Sequence, residues 1–148
     1  MEPQPVIEIL MAEDSPSNQV IARQAFKSAK TPHRLHIVNN GEEALAFLRR
    51  EGAHAAAPVP DLILLDLNMP RMGGLEALAI IKLNPKWRHI PVIILTASKA
   101  DDDVIGAYGA HANCYIVKPV DYERFVGVVQ QIESFWFAVA KLPPKNLK

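Results

Sequence analysis

The segment Asp61-Leu62-Ile63-Leu64-Leu65-Asp66 constrains this chain most. Its central residues are apolar without a break, and both flanks are carboxylates. A strand turns alternate side chains to opposite faces, so this run has no polar face to offer water. It must sit inside a sheet that is covered on both sides. Pro91–Leu95 reads the same way, and Val6–Ala12 is a similar short run interrupted by Glu8. Leu35–Val38 and Cys114–Val117 complete the set of candidate strands.

Helical stretches separate these runs. Ser15-Pro16 joins a good N-cap to a residue favoured at the first helical position, and a helix to about Ala29 is expected. Asn40, followed three residues later by Glu43, is a variant of the capping box, with Ala44, Leu45, Phe47 and Leu48 as the apolar face. Gly52–Pro60 lacks helical periodicity and reads as a loop. Leu75–Leu83 is a third helix. Asp101–Tyr108 opens on acidic residues that suit the helix dipole, although Gly106 inside it costs about 1 kcal/mol relative to Ala. Asp121 caps a long last helix to about Lys141, and the tail Leu142–Lys148 should be irregular. Phe125, Val128, Val129, Ile132, Trp136 and Val139 follow the spacing of a core face. Val126 and Phe137 fall about 100–120° away from it.

Strands alternating with helices predict an α/β fold, a doubly wound five-stranded parallel sheet with five helices on its two faces. We expect one domain over residues 1–148, with a core of about 6–141 and no second domain. The formal net charge is zero, which leaves no basic excess for nucleic acid. The lone Cys114 excludes an intramolecular disulfide and a Cys-rich metal site, and a small core residue is expected there. The histidines show no ligand spacing. No apolar run approaches the ~20 residues that span a bilayer. The start, Met1-Glu2-Pro3-Gln4-Pro5, lacks the pattern of a signal peptide. A cytoplasmic protein is expected.

Doubly wound sheets bind ligands at the C-terminal ends of their strands. At those ends stand Glu13-Asp14, then Asp66 with Asn68 beyond it, then Thr96, then Lys118. Each has a plain explanation when taken alone: a turn, a helix cap, a strand residue, a solvated lysine. Their convergence on one crevice changes the reading. Clustered carboxylates repel one another and need a cation, and hard oxygen ligands suit Mg²⁺. Asp14, Asp66 and the backbone carbonyl of Asn68 would hold the ion, with Glu13 acting through a water. Lys118 and Thr96 are then the donors for an anionic group placed on Asp66. A carboxylate is a competent nucleophile towards phosphorus, and the protein's task is positioning and charge neutralisation.

With these residues assembled, the chain resembles the receiver domains of two-component response regulators over about Val6 to Lys141. The matching segments are Glu13-Asp14-Ser15, Asp61 to Pro70, Thr96-Ala97-Ser98 and Lys118-Pro119. The resemblance implies that Asp66 is the phospho-acceptor, with Glu13, Asp14, Asp66 and the Asn68 carbonyl as the Mg²⁺ site. It implies that Thr96 and Lys118 grip phosphoryl oxygens, and that Tyr115 swings inward when the Thr96 hydroxyl moves. One departure is Gly73-Gly74, where many receivers carry Asp-Gly after the methionine; it should alter the loop more than the chemistry.

A narrower resemblance lies in His111-Ala112-Asn113-Cys114-Tyr115, Phe135-Trp136-Phe137 and Lys141-Leu142-Pro143. These look like the small regulators associated with phytochrome-type light-sensing kinases. A sensor histidine kinase as donor and a homodimer are implied, with Val126, Phe135, Trp136 and Phe137 as candidate dimer surface. Output would be a protein contact, with no nucleic acid and no membrane involved. Two other classes compete. A phosphatase of the haloacid-dehalogenase type needs a general acid two residues after its nucleophile, where this chain has Asn68. A docking module that ignores phosphorylation would not need the full acidic set with Thr96 and Lys118.

Overall fold

The computed structural model describes residues 6–144. Met1–Pro5 and residues 145–148 lie outside the described residues, and with them the expectations for the chain start and for the end of the tail. Five strands form one sheet: β1 (Ile7–Ala12), β2 (His33–Val38), β3 (Leu62–Leu65), β4 (Val92–Thr96) and β5 (Cys114–Val117). All neighbours pair in parallel in the order β2-β1-β3-β4-β5. The α-helices are α1 (Pro16–Lys27), α2 (Gly41–Arg49), α3 (Gly74–Leu83), α4 (Asp101–Gly109) and α5 (Tyr122–Ile132). This is the expected doubly wound fold. Its direction of winding reverses between β1 and β3, so the crevice opens above those two strands.

The period-2 alternation of the strands separates two cores. Leu10, Ala12, Ile63, Leu65, Val92 and Ile94 face α2 and α3. Ile9, Met11, Leu62, Leu64, Ile93 and Leu95 face α1 and α5, meeting Phe26, Phe125, Val129 and Ile132. All four residues of β3 are fully buried, as their unbroken apolar run requires. The caps fall where their residue types place them. Ser15 accepts from the Asn18 N–H, Asn40 from the Glu43 N–H and Asp121 from the Arg124 N–H.

Glu8, the polar break in β1, is buried yet partnered. Its carboxylate takes Arg34 at 2.6 Å and His36 at 2.9 Å from the neighbouring strand. That pairing explains why β2 begins at His33, two residues before its apolar stretch. Arg34 and His36 belong to the sheet because Glu8 needs them. The Gly52–Pro60 loop contains one 3₁₀ turn at Gly52–His54, and α1 ends at Lys27 rather than Ala29.

The end of the chain corrects the expectation of a long regular helix. After α5 the backbone winds as a π-helix over Glu133–Val139, followed by extended chain at Ala140. The wider turn places residues four and five positions on over the same spot. From the buried Ile132, that brings both Trp136 and Phe137 against the core beside α1. Phe137 therefore leaves the lateral stripe assigned by an α-helical period. Val139, expected in the core, is 74% exposed. Beyond the π turn Leu142 packs on the same core, and Pro143 and Pro144 line a small hollow with Asp61 and His89.

This geometry makes a direct prediction for urea unfolding. Trp136→Ala should cost about 2 kcal/mol, below the 3–5 of a fully buried aromatic. Val139→Ser should stay within about 0.5 kcal/mol, as for an ordinary surface substitution.

Candidate functional site

The strand ends bring the expected residues together. Glu13 and Asp14 follow β1, Asp66 follows β3, Thr96 ends β4 and Lys118 follows β5. Glu13, Asp14 and Asp66 each offer a carboxylate oxygen, and these lie within 4.8 Å of one another. They form the only such acidic or His/Cys group among the described residues. Glu13 and Asp66 are buried, whereas Asp14 stands exposed at the mouth.

Every donor around Asp66 has its own place. The Thr96 hydroxyl, fully buried, donates to Asp66 Oδ1 at 2.8 Å. The Asn68 N–H donates to the same oxygen at 3.2 Å. The Lys118 ammonium donates to Asp66 Oδ2 at 3.2 Å. The same ammonium donates to Glu13 Oε1, while Glu13 Oε2 accepts from the Ser15 N–H at 3.1 Å. One cation thus serves two carboxylates from different strands. The oxygens remaining at the mouth, with Asp14 beside them, are an all-oxygen donor set of the kind that hard divalent cations take. The residues present therefore fit Mg²⁺.

Backbone packing holds Asp66 in place. A Cβ at Gly74 would stand 2.1 Å from the Asp66 carbonyl oxygen. Only glycine lets the start of α3 close on the residue it supports. A Cβ at Gly73 would stand 2.9 Å from the Leu67 carbonyl, and Gly73 caps α3 without a side-chain oxygen. The Gly-Gly departure thus leaves the start of α3 without a side-chain cap. The second glycine is the one that the site depends on.

Tyr115 lies at the rim, its hydroxyl donating to the Ser98 carbonyl at 3.0 Å. The Ser98 hydroxyl in turn bonds Asp103 in the first turn of α4. The sequence reading missed Gln19, which donates to the Glu13 carbonyl at 2.6 Å and to Asn39 at 2.9 Å, tying α1 to the β2–α2 connection. It also missed Lys82. That ammonium donates to the Arg88 and Ile90 carbonyls and to Asn113 Oδ1, joining the end of α3 to the start of β5. Burial lowers the Lys82 pKa, and burial followed by the Lys82 charge lowers that of His89. Neither pattern is visible in local spacing, because each joins separate elements. Of the candidate dimer residues, Phe135 is 52% exposed and meets Trp136 edge-on at 5.3 Å. Val126, Trp136 and Phe137 pack partly against the core.

Residues 9–130 match the response regulator receiver domain family. The chain belongs to that family. It is 42% identical to the response regulator Rcp1 of Synechocystis sp. over 142 residues, 96% of this chain and 97% of that one. It is 35% identical to the probable methanogenesis regulatory protein FilR2 of Methanothrix harundinacea, covering 91% of this chain and 86% of that one. The crystal structure of Mn²⁺-bound Rcp1 superposes with a TM-score of 0.88 at 42% identity, over 93% of this chain and 99% of that one. The phosphorylated cyanobacterial phytochrome response regulator RcpA superposes with a TM-score of 0.90 at 40% identity, over 95% of this chain and all of that one. A receiver fold with a divalent-metal type of acidic cluster is therefore secure. Among the described residues no helix is long and apolar enough to cross a membrane.

Two outcomes follow from the packing. Gly74→Ala should destabilise this receiver by about 1–3 kcal/mol in urea unfolding, the range for overpacking. Cys114 is half-buried, and its thiol pKa is pushed up by burial, offset in part by a backbone hydrogen bond at Tyr115. Its thiolate fraction is therefore reduced at pH 8, and iodoacetamide should alkylate it more slowly in the native protein than in urea.

Proposed function

We propose that this receiver is a phosphorylation-dependent switch that takes a phosphoryl group from a histidine kinase onto Asp66. The observation that carries the reading is the division of donors at Asp66: Thr96 holds one carboxylate oxygen and Lys118 the other. In the transfer, an Asp66 oxygen attacks phosphorus and the phosphorus–nitrogen bond of the donor phosphohistidine breaks. The histidine leaves as a neutral imidazole once it has taken a proton. Lys118 and Thr96 then hold the phosphoryl oxygens, and the Asn68 N–H holds the acceptor carboxylate in line. Glu13, Asp14, Asp66 and the Asn68 carbonyl would hold Mg²⁺, which supplies neutralising charge when bound.

The signal leaves through Thr96 and Tyr115. Thr96 turns its hydroxyl to the new oxygens, and Tyr115 fills the space beside it. Exposed apolar side chains cluster in sequence around the same elements: Ile105 and Tyr108 on α4, Val117 on β5, Val120 and Tyr122 leading into α5. Their exposure supports a protein contact as the output. The relatives named as phytochrome regulators support a phytochrome-type kinase as donor. A cytoplasmic homodimer completes the reading. Phe135 would be its centre, bordering an open cleft of about 270 Å³ with Cys114, Ile116 and Trp136. A zero net charge leaves nucleic acid out of it.

Incubation with acetyl phosphate and Mg²⁺ should add one phosphoryl group by intact mass, and Asp66→Asn should abolish the gain. Lys118→Ala should slow the gain about a hundredfold, the loss typical of one electrostatic donor. Size-exclusion of the wild type and Phe135→Ser reads the dimer in the same samples. A wild type that gains no mass with kinase and excess Mg²⁺ would sink the acceptor assignment.

A further inference from the structure

β5 is an edge strand, so one row of its backbone N–H groups has no strand to pair with. The Lys118 N–H bonds the Thr96 carbonyl on β4. The Tyr115 N–H, three residues back, turns instead towards α4. There it donates to the Tyr108 hydroxyl at 3.2 Å. Tyr108 is in the last turn of α4, and Asp103, in the first turn, bonds the Ser98 hydroxyl. Ser98 accepts from the Tyr115 hydroxyl through its carbonyl. The bonds close a ring from the Tyr115 side chain to Ser98, to Asp103, along α4 to Tyr108, and back to the Tyr115 backbone.

The ring fastens α4 at both ends to one residue, and that residue is the switch aromatic. It does so in a structure where the Thr96 hydroxyl faces Asp66. α4 has little else to hold it: it buries only Ala107, and neither its N-cap residue nor a basic last turn contributes. Tyr108 is 49% exposed, so its ring adds little core packing and its hydroxyl is the informative group.

We propose that Tyr108 is a positioning residue of the switch, holding α4 to β5 in the arrangement that favours a phosphoryl group on Asp66. The proposal rests on the receiver reading. Tyr108 touches no reacting atom and acts through Tyr115. Removing its hydroxyl withdraws one hydrogen bond from the phosphoryl-favouring arrangement and so lowers the affinity for any group that selects it.

The test is a ¹⁹F NMR titration of beryllofluoride, a phosphoryl analogue, at saturating Mg²⁺. Wild type, Tyr108→Phe, Tyr115→Phe and the double variant are compared. Tyr108→Phe should bind about two- to tenfold more weakly, the range for one net hydrogen bond. Mg²⁺ affinity without fluoride should not change, since the acidic cluster is untouched. The double variant should bind no more weakly than the weaker single one, because both act through one ring. Beryllofluoride affinity equal to wild type in Tyr108→Phe, or additive losses in the double variant, would overturn the role. A wild type that takes up no beryllofluoride would overturn the phospho-acceptor reading of Asp66 along with it.

Discussion

One buried ammonium organises this molecule. Lys118 has 8% of its side chain exposed and holds Glu13 from the end of β1 and Asp66 from the end of β3. A buried lysine without partners would give up its proton, and buried carboxylates without a cation would take one up. Here the one ammonium lies between two carboxylates, and Asp14 brings a third carboxylate to the crevice mouth. The strand order makes this possible. β4 lies between β3 and β5, so Lys118 reaches over the end of β4, where Thr96 sits beneath it. Fold and site are thus the same constraint seen from two sides.

Most of that arrangement is legible along the chain, for a physical reason. A strand buried on both faces must be continuously apolar, so its end is marked by the first polar residue. Asp66 and Thr96 each occupy such a position, Lys118 follows the apolar run of the half-buried edge strand, and parallel pairing puts those ends at one rim. The acidic cluster could therefore be assembled before any coordinates. β2 was less legible because its first residues are polar. Their reason for being in the sheet is Glu8, on another strand.

The contacts that stayed hidden are those that no period encodes. The bond from the Tyr115 N–H to the Tyr108 hydroxyl needs a helix end and an edge strand to meet. Lys82 collects acceptors from three separate segments. The last helix failed differently. A 3.6-residue period was extended through residues that wind with a wider turn, and it inverted the places of Phe137 and Val139. Aromatic residues at adjacent positions, both wanting the interior, are what an α-helical period cannot satisfy and a π turn can.

That π turn also sets the chain's reach. A helix wound with a wider turn holds more residues per unit length, which is the form a helix takes when it absorbs an inserted residue without moving its ends. Here the slack lies between α5, anchored by Phe125, Val129 and Ile132, and the stretch that lays Leu142 on the core. Removing one residue from this segment would let it relax towards an α-helix with its ends in place, whereas the same deletion inside α5 would turn everything after it by about 100°. Leu142 and the prolines beyond it would then arrive on the wrong side of the sheet's lower rim. The helical irregularity therefore works as a length adjuster, letting a terminal segment of fixed length dock in register with strands laid down far earlier in the chain.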